Sequence, residues 1–415
     1  MKIVIVGGGT AGITVAAQLR RKSPQAEVVI IDPSSRHFYQ PLWTLVGGGL
    51  VSFQETERVE EDLIPDGVKW LQDKVLAFSP NENQLRTESN GIVSYDQLIV
   101  APGLSLALNE VKGLTDALNN DPRVWTNYDR RYVRKGNKVI QALKSGPAIF
   151  TTPDSPIKCG GAPQKIMWVA EEWFRKNGIR DSVEVTLTVP GGDIFGVPKY
   201  RDALDKLASE RNVALSTHLH LIEVDSARSL AIFENLKTGE VVKKEYALLH
   251  VTPPQRAPEF IRTSPLADSA CEAPEKDQSP AIVERNIKRG ARGGFVDIDQ
   301  HTLRHKKYSN VWSLGDACNA PTAKTGAAVR KQAPVLVANL LASLKGDEPS
   351  ESYNGYTSCP LVVGHHQVIL AEFGYGGEVM ETFPYNQAKP RYSSWFLKRH
   401  LLPKIYWYGM LKGWM

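Results

Sequence analysis

The chain opens on Lys2-Ile3-Val4-Ile5-Val6, followed at once by Gly7-x-Gly9-x-x-Gly12, and few sequence features restrict a fold so tightly. A short apolar strand runs into three spaced glycines and then into a helix reaching to about Arg21, which Ser23-Pro24 ends. A second apolar strand, Val28 to Asp32, places an acid about 20 residues beyond the glycines. Gly7 permits the tight turn, Gly9 lets backbone approach a pyrophosphate, and Gly12 lets helix and strand pack closely. The N–H groups of Gly8, Gly9, Thr10 and Ala11 lie where a helix N-terminus meets phosphate, and Asp32 is placed to accept from a ribose hydroxyl. A βαβ start of this kind predicts a parallel sheet of the dinucleotide-binding type.

Two distant segments select the dinucleotide. Asp96 to Gly103 is an apolar strand ending in a small-residue turn that includes Ala101 and Gly103, and Val311 to Asp316 is another strand ending in an acid. Both resemble the accessory motifs of flavoproteins with two dinucleotide-binding domains, and this points to FAD. Further strands are expected at Ala148 to Thr152, Val183 to Val189 and Leu248 to Thr252, with helices at Pro163 to Lys176, Tyr200 to Arg211 and Ala327 to Lys345. Asn119 to Gly136 and Ser264 to Gly294 read as polar interruptions.

The middle of the chain departs from the two-nucleotide pattern. Where a second glycine loop would cradle NAD(P)H, the strand at Ala148 runs into Pro153, Pro156 and Pro163, and prolines remove the N–H donors such a loop needs. The following strand ends in Pro190-Gly191-Gly192 with no ribose-binding acid. A cysteine, Cys159, stands in that loop beside Lys158 and near a helix start, a setting that favours thiolate. Cys359 lies in Tyr356-Thr357-Ser358-Cys359-Pro360. The residues alone leave open whether the two meet or are buried and inert. Cys271 reads as a surface residue and Cys318 as a packed one. The histidines, His365-His366 among them, form no metal-ligand spacing, and those two are expected to project in different directions.

Four segments identify a family by resemblance: Phe38 to Gly47, Ile157 to Met167, Leu249 to Pro254 and Tyr356 to Leu361 closely resemble the sulfide:quinone oxidoreductases, nearest to their type II branch. The resemblance covers nearly the whole chain. It implies that Cys159 and Cys359 are a redox pair, with the persulfide on Cys159 and Cys359 addressing the isoalloxazine. It implies FAD contacts at Asp32, Gln40, Val75 and Asp316, with Lys324 in the neighbouring segment. It also implies sulfide, a membrane quinone (ubiquinone or menaquinone) and a sulfane-sulfur acceptor as partners, and weakly marks Pro41, Ile369 and Phe373 as quinone contacts. Some branches carry a third cysteine where this chain reads Trp125-Thr126-Asn127-Tyr128, so release of one sulfur at a time is expected. The alternatives of other kinds are a type II NADH:quinone oxidoreductase and a non-catalytic flavin-bound sulfide sensor.

The last residues have a different character. Arg391 to Met415 combines Trp395, Phe396, Leu401, Tyr406, Trp407 and Trp414 with five cations and no acid, and Pro403 is expected to divide it into two short helices. An amphipathic, basic segment suits the lipid headgroup boundary; docking on the protein's own core and a homo-oligomer interface are the other readings. The stretch from Ile3 to Leu19 is broken by glycines, so no cleavable leader is expected, and no run of 18 apolar residues suggests a span. A net charge of +5 with cations spread along the chain gives no nucleic-acid footprint. The expected organisation of the 415 residues is α/β, with two Rossmann-like domains of which the FAD-binding one is discontinuous. Residues 1–108 and 295–385 form the FAD domain and 109–260 the second domain, with 261–294 a surface insertion and 386–415 the peripheral membrane-contact region. A peripheral position on the cytoplasmic membrane, or on the inner mitochondrial membrane of a eukaryote, follows as the expectation.

Overall fold

The computed structural model describes residues 1–268 and 293–415. Its first sheet is five-stranded and wholly parallel, in the order Val311–Ser313, Gln97–Val100, Lys2–Val6, Glu27–Ile31, Val68–Leu71. Strands covered on both faces carry near-continuous apolar runs, which is why Ile3, Val4 and Ile5 are all fully buried. The helix Thr10–Lys22 covers one face and packs against the helix Gly326–Ser343. Residues from opposite ends of the chain therefore build one domain.

The second parallel sheet runs Val124–Trp125, Leu248–His250, Gly146–Thr151, Val183–Thr188, Ala214–Ser216. The helices Ala162–Lys176 and Pro198–Glu210 lie against it, and a hairpin of Thr357–Gly364 and Gln367–Phe373 packs on the former. The expected strands and helices stand within about two residues of their positions, as fraying ends allow.

Three expectations change. Residues 119–136 are not a mere polar interruption: they hold the edge strand Val124–Trp125, both residues fully buried, followed by Tyr128, Tyr132 and Val133 in the interior. Charged neighbours such as Arg123, Asp129 and Arg130 mask these apolar positions in the sequence. His365 and His366 do not point apart. Their rings stack at 4.0 Å because they form the tight turn of the hairpin, where His366 has φ of +67°.

Pro403 does not split the C-terminal segment either. Residues 392–412 form one helical run in which wide five-residue turns over Leu397–Leu401 and Ile405–Gly409 alternate with α and 3-10 turns. Proline has no N–H and crowds the preceding carbonyls, and wide turns are one way a helix passes it. Of the stretch expected as an insertion, residues 269–292 and with them Cys271 lie outside the described residues; Ile261 and Leu266 at its near end are buried in the first core.

Candidate functional site

The glycine loop has the shape its spacing predicts. A β-carbon on Gly7, at φ of +103°, would stand 2.4 Å from the carbonyl oxygen of Ala101, and one on Gly12 would stand 1.9 Å from that of Gly7. Neither position admits any other residue. Gly9 and Gly103 differ: a β-carbon added at either would meet no atom within 4 Å, so the loop faces open space where a dinucleotide would lie. Asp32 accepts the N–H groups of Gly8 at 2.6 Å and Ser34 at 2.7 Å, which fixes its carboxylate at the loop. Ala11 packs beside Gly315, and Thr10 turns its hydroxyl to Tyr406 at 2.9 Å. These residues fit FAD. Val75 differs in kind: its side chain is buried in the first core, so any contact it makes with a dinucleotide comes through its backbone.

The two cysteines meet. Cys159 and Cys359, 200 residues apart in the chain, bring their sulfurs to 3.4 Å. Three features place them. Cys159 takes a left-handed backbone, φ +54°, in the loop before the helix Ala162–Lys176, and its N–H donates to the carbonyl of Lys324 at 2.9 Å, tying the second domain to the segment after Asp316. Cys359 stands on the first hairpin strand, paired with Ala371. Gly161 lets the two approach, since a β-carbon there would lie 2.7 Å from the Cys359 sulfur and 2.3 Å from Leu361.

The charge at this pair comes from residues the sequence did not single out. Lys158 turns away and donates its amine to Gln40 Oε1 at 2.5 Å. Lys165, in the first turn of the helix and itself buried, donates to the Cys159 sulfur at 3.0 Å instead. The hydrogen bond from Cys359, reinforced by the charges of Lys165 and Lys398 against the effect of burial, holds the Cys159 thiol well below its ordinary range. The same shared hydrogen bond, with burial, pushes Cys359 well above it. The pair thus carries one negative charge, seated on Cys159 beside an ammonium group.

Lys398 is the second surprise. One of the five cations of the basic C-terminal segment, it is buried, donates to the carbonyl of Pro41 at 3.1 Å and feels both cysteines. Burial and the charge of Lys165 push its pKa down to about 7, against the attraction of the sulfurs. No sequence pattern marks it, because its inward turn depends on the wide turn that holds it.

Tyr128 is buried near the pair, and burial followed by the negative sulfurs raises it well above the usual tyrosine range. Asp316 is raised by burial and steadied by Lys324 and Lys158. Lys324 donates to the carbonyls of Asp316 at 3.0 Å and Cys318 at 2.7 Å. Cys318 is buried, donates to the carbonyl of Gly315 and has its thiol pushed up by burial, the setting of a packed residue. His250 is held neutral, its pKa pushed down to about 3 by burial. Ile369 is fully enclosed, which removes it from any open pocket, whereas Phe373 remains half-buried against Phe195. Among the described residues no cluster of histidine, cysteine and acid side chains could hold a metal ion.

Comparison with known proteins bears directly on this arrangement. Residues 1–140 match the family model described as pyridine nucleotide-disulphide oxidoreductase. Over 413 residues the chain is 42% identical to a mitochondrial sulfide:quinone oxidoreductase of Mus musculus, covering 99% of this chain and 86% of that protein. It is 44% identical over 414 residues to the protein of the same name in Dictyostelium discoideum, with the same coverage. Among solved structures, that of the sulfide:quinone oxidoreductase from Aquifex aeolicus superposes with a TM-score of 0.78 at 17% identity, over 99% of this chain and 92% of that one, a likeness of fold. The chain is an FAD-dependent oxidoreductase and belongs to the sulfide:quinone oxidoreductase family.

Proposed function

We propose that the chain oxidises sulfide at the Cys159–Cys359 pair and delivers the electrons to quinone. The observation that carries this reading is the 3.4 Å approach of the two sulfurs beside the Lys165 amine. That separation exceeds one S–S bond of about 2.0 Å and lies within the reach of two, so the pair can close directly or around one added sulfur.

In the oxidised pair, hydrosulfide attacks Cys159; the S–S bond breaks, a persulfide forms on Cys159 and the bonding electrons leave with Cys359 as thiolate. Lys165 holds the negative charge through this exchange. A nucleophilic acceptor then takes the outer sulfur, leaving two thiolates, whose closure to the bridge releases two electrons. Bound FAD supplies the two-electron acceptor that links this half-reaction to quinone. Gly7, Gly8, Gly9, Thr10, Ala11, Gly12, Asp32, Ala101 and Gly103 would hold its dinucleotide, with Gln40, Val75, Asp316 and Lys324 completing the site.

The C-terminal run supports a peripheral position on a membrane. Its inner face docks on the core through Trp395, Tyr406, Trp407, Met410 and Leu411, while Tyr392, Phe396, Leu401, Tyr408 and Trp414 remain exposed beside Lys404 and Lys412. Apolar and aromatic side chains flanked by cations suit anionic lipid. No described helix is long and apolar enough to cross a membrane. The curated relatives carry "mitochondrial" in their names, which favours the inner mitochondrial membrane for a eukaryotic host and the cytoplasmic membrane otherwise.

Anaerobic titration with sulfide, followed by the flavin spectrum, tests the reading. Flavin reduction should collapse in both Cys159→Ala and Cys359→Ala while FAD stays bound. Normal reduction in either variant would remove the two-cysteine mechanism, and bleaching by NADH would favour the NADH:quinone alternative.

A further inference from the structure

The C-terminal run also reaches the phosphate loop. Tyr406, buried, sets its hydroxyl 2.9 Å from Thr10 Oγ1 and 2.5 Å from His37 Nε2. His37 Nδ1 lies 3.1 Å from Glu60 Oε2, and the other oxygen of Glu60 is buried without a partner, 2.5 Å from where a β-carbon on Gly8 would stand and next to Asp32. A line of hydrogen bonds thus leaves the loop at Thr10 and ends at Glu60, whose unpartnered oxygen lies behind Gly8. None of His37, Glu60 and Tyr406 has a part in the sulfur chemistry.

The direction of the protons along this line follows from counting donors. With Glu60 ionised and His37 neutral, the one ring proton sits on Nδ1 facing the carboxylate, because the reverse tautomer sets a lone pair against it. Nε2 then accepts from Tyr406, Tyr406 accepts from Thr10, and the Thr10 hydroxyl turns only lone pairs outward. One further proton on the Glu60–His37 pair reverses the bonds beyond His37. Nε2–H donates to Tyr406, Tyr406 donates to Thr10, and the Thr10 hydroxyl proton is released to face the loop. A phosphate wants that second arrangement.

We infer that Tyr406 is a positioning residue for the FAD phosphates, and that binding the dinucleotide draws one proton onto the buried Glu60–His37 pair. Burial raises Glu60 and so works in the same direction, helped by the neighbouring Asp32 charge, against the hydrogen bond and charge of His37, which lower it. The charged or titratable groups around the pair are Asp32 beside Glu60, Tyr406 with Tyr39 packed on it, and Arg58, which stands opposite His37 on the paired strand with its guanidinium over Trp407 and opposes the added proton. The inference takes the bound FAD as given and is independent of the sulfur mechanism.

Loss of FAD from the holoenzyme, read by the fluorescence of released flavin without sulfide or quinone, provides the test. In the wild type, FAD affinity should fall as pH rises past the titration of the pair, by up to about tenfold per pH unit for one linked proton. Tyr406→Phe keeps the ring but cuts the relay; it should bind FAD more weakly and with a flat pH profile. Glu60→Gln offers a permanent amide donor to His37 Nδ1 and should hold FAD tightly with no fall at high pH. The opposite responses of these two variants separate the relay from a loss of packing, which would weaken both. The inference is overturned if the wild type shows no pH dependence, if Tyr406→Phe keeps the wild-type profile, or if Glu60→Gln weakens binding at all pH values.

Discussion

Cys159 holds a left-handed backbone that costs a residue with a β-carbon about 1–2 kcal/mol. Cys159→Gly should therefore be more stable than Cys159→Ala by about 1 kcal/mol in denaturant unfolding, though both lack the sulfur. Lys165 is expected to matter through charge. In Lys165→Met the Cys159 thiol loses its cation, so the pH at which iodoacetamide begins to alkylate it should move upward. Lys398 should give the opposite kind of signature. With its pKa near 7, its positive charge is present below that pH and fades above it, so sulfide-driven flavin reduction should lose rate through this range. Lys398→Arg, charged throughout, should flatten that decline. Cysteine and glycine positions were legible in the sequence because their chemistry is carried by residue type. Lys165 and Lys398 were not, because a lysine on a helix looks the same whether it faces water or sulfur.

The elements that set the pair are the helix after Cys159 and the hairpin bearing Cys359, and Gly161 is where they touch. Gly161→Ala places a methyl group against Leu361 and the Cys359 sulfur. Overpacking of this kind should cost about 1–3 kcal/mol and slow flavin reduction by sulfide, with FAD content unchanged. The parallel strands were readable from their unbroken apolar runs, and the helix after Cys159 from its period. The edge strand Val124–Trp125 was hidden because two residues are too short to show a period and charged neighbours diluted it. The C-terminal run was half legible. Its amphipathic composition announced two faces, but the wide turns on either side of Pro403 decide which residues occupy each, and an ordinary helical period does not foresee them.

At the scale of the molecule, one segment serves three places: it offers exposed aromatics outward, sends Lys398 to the sulfurs and joins Tyr406 to the phosphate loop. Replacing Phe396, Tyr408 and Trp414 together with serine should abolish sedimentation with anionic vesicles while leaving sulfide reduction of the flavin intact. Because those three side chains are exposed, the melting temperature should hardly move. Wild-type binding to the vesicles should weaken as salt is raised.

The 200 residues that separate the two sulfurs carry a consequence for the history of each molecule. During synthesis the first cysteine emerges long before the second, and the hairpin that delivers the second cannot form until its return strand, Gln367–Phe373, has been made. A partly made or partly melted copy therefore holds two ordinary thiols of normal acidity, too far apart to cooperate. Reactivity toward sulfur switches on only once the two segments have met, so the correct tertiary structure is itself the licence for the chemistry.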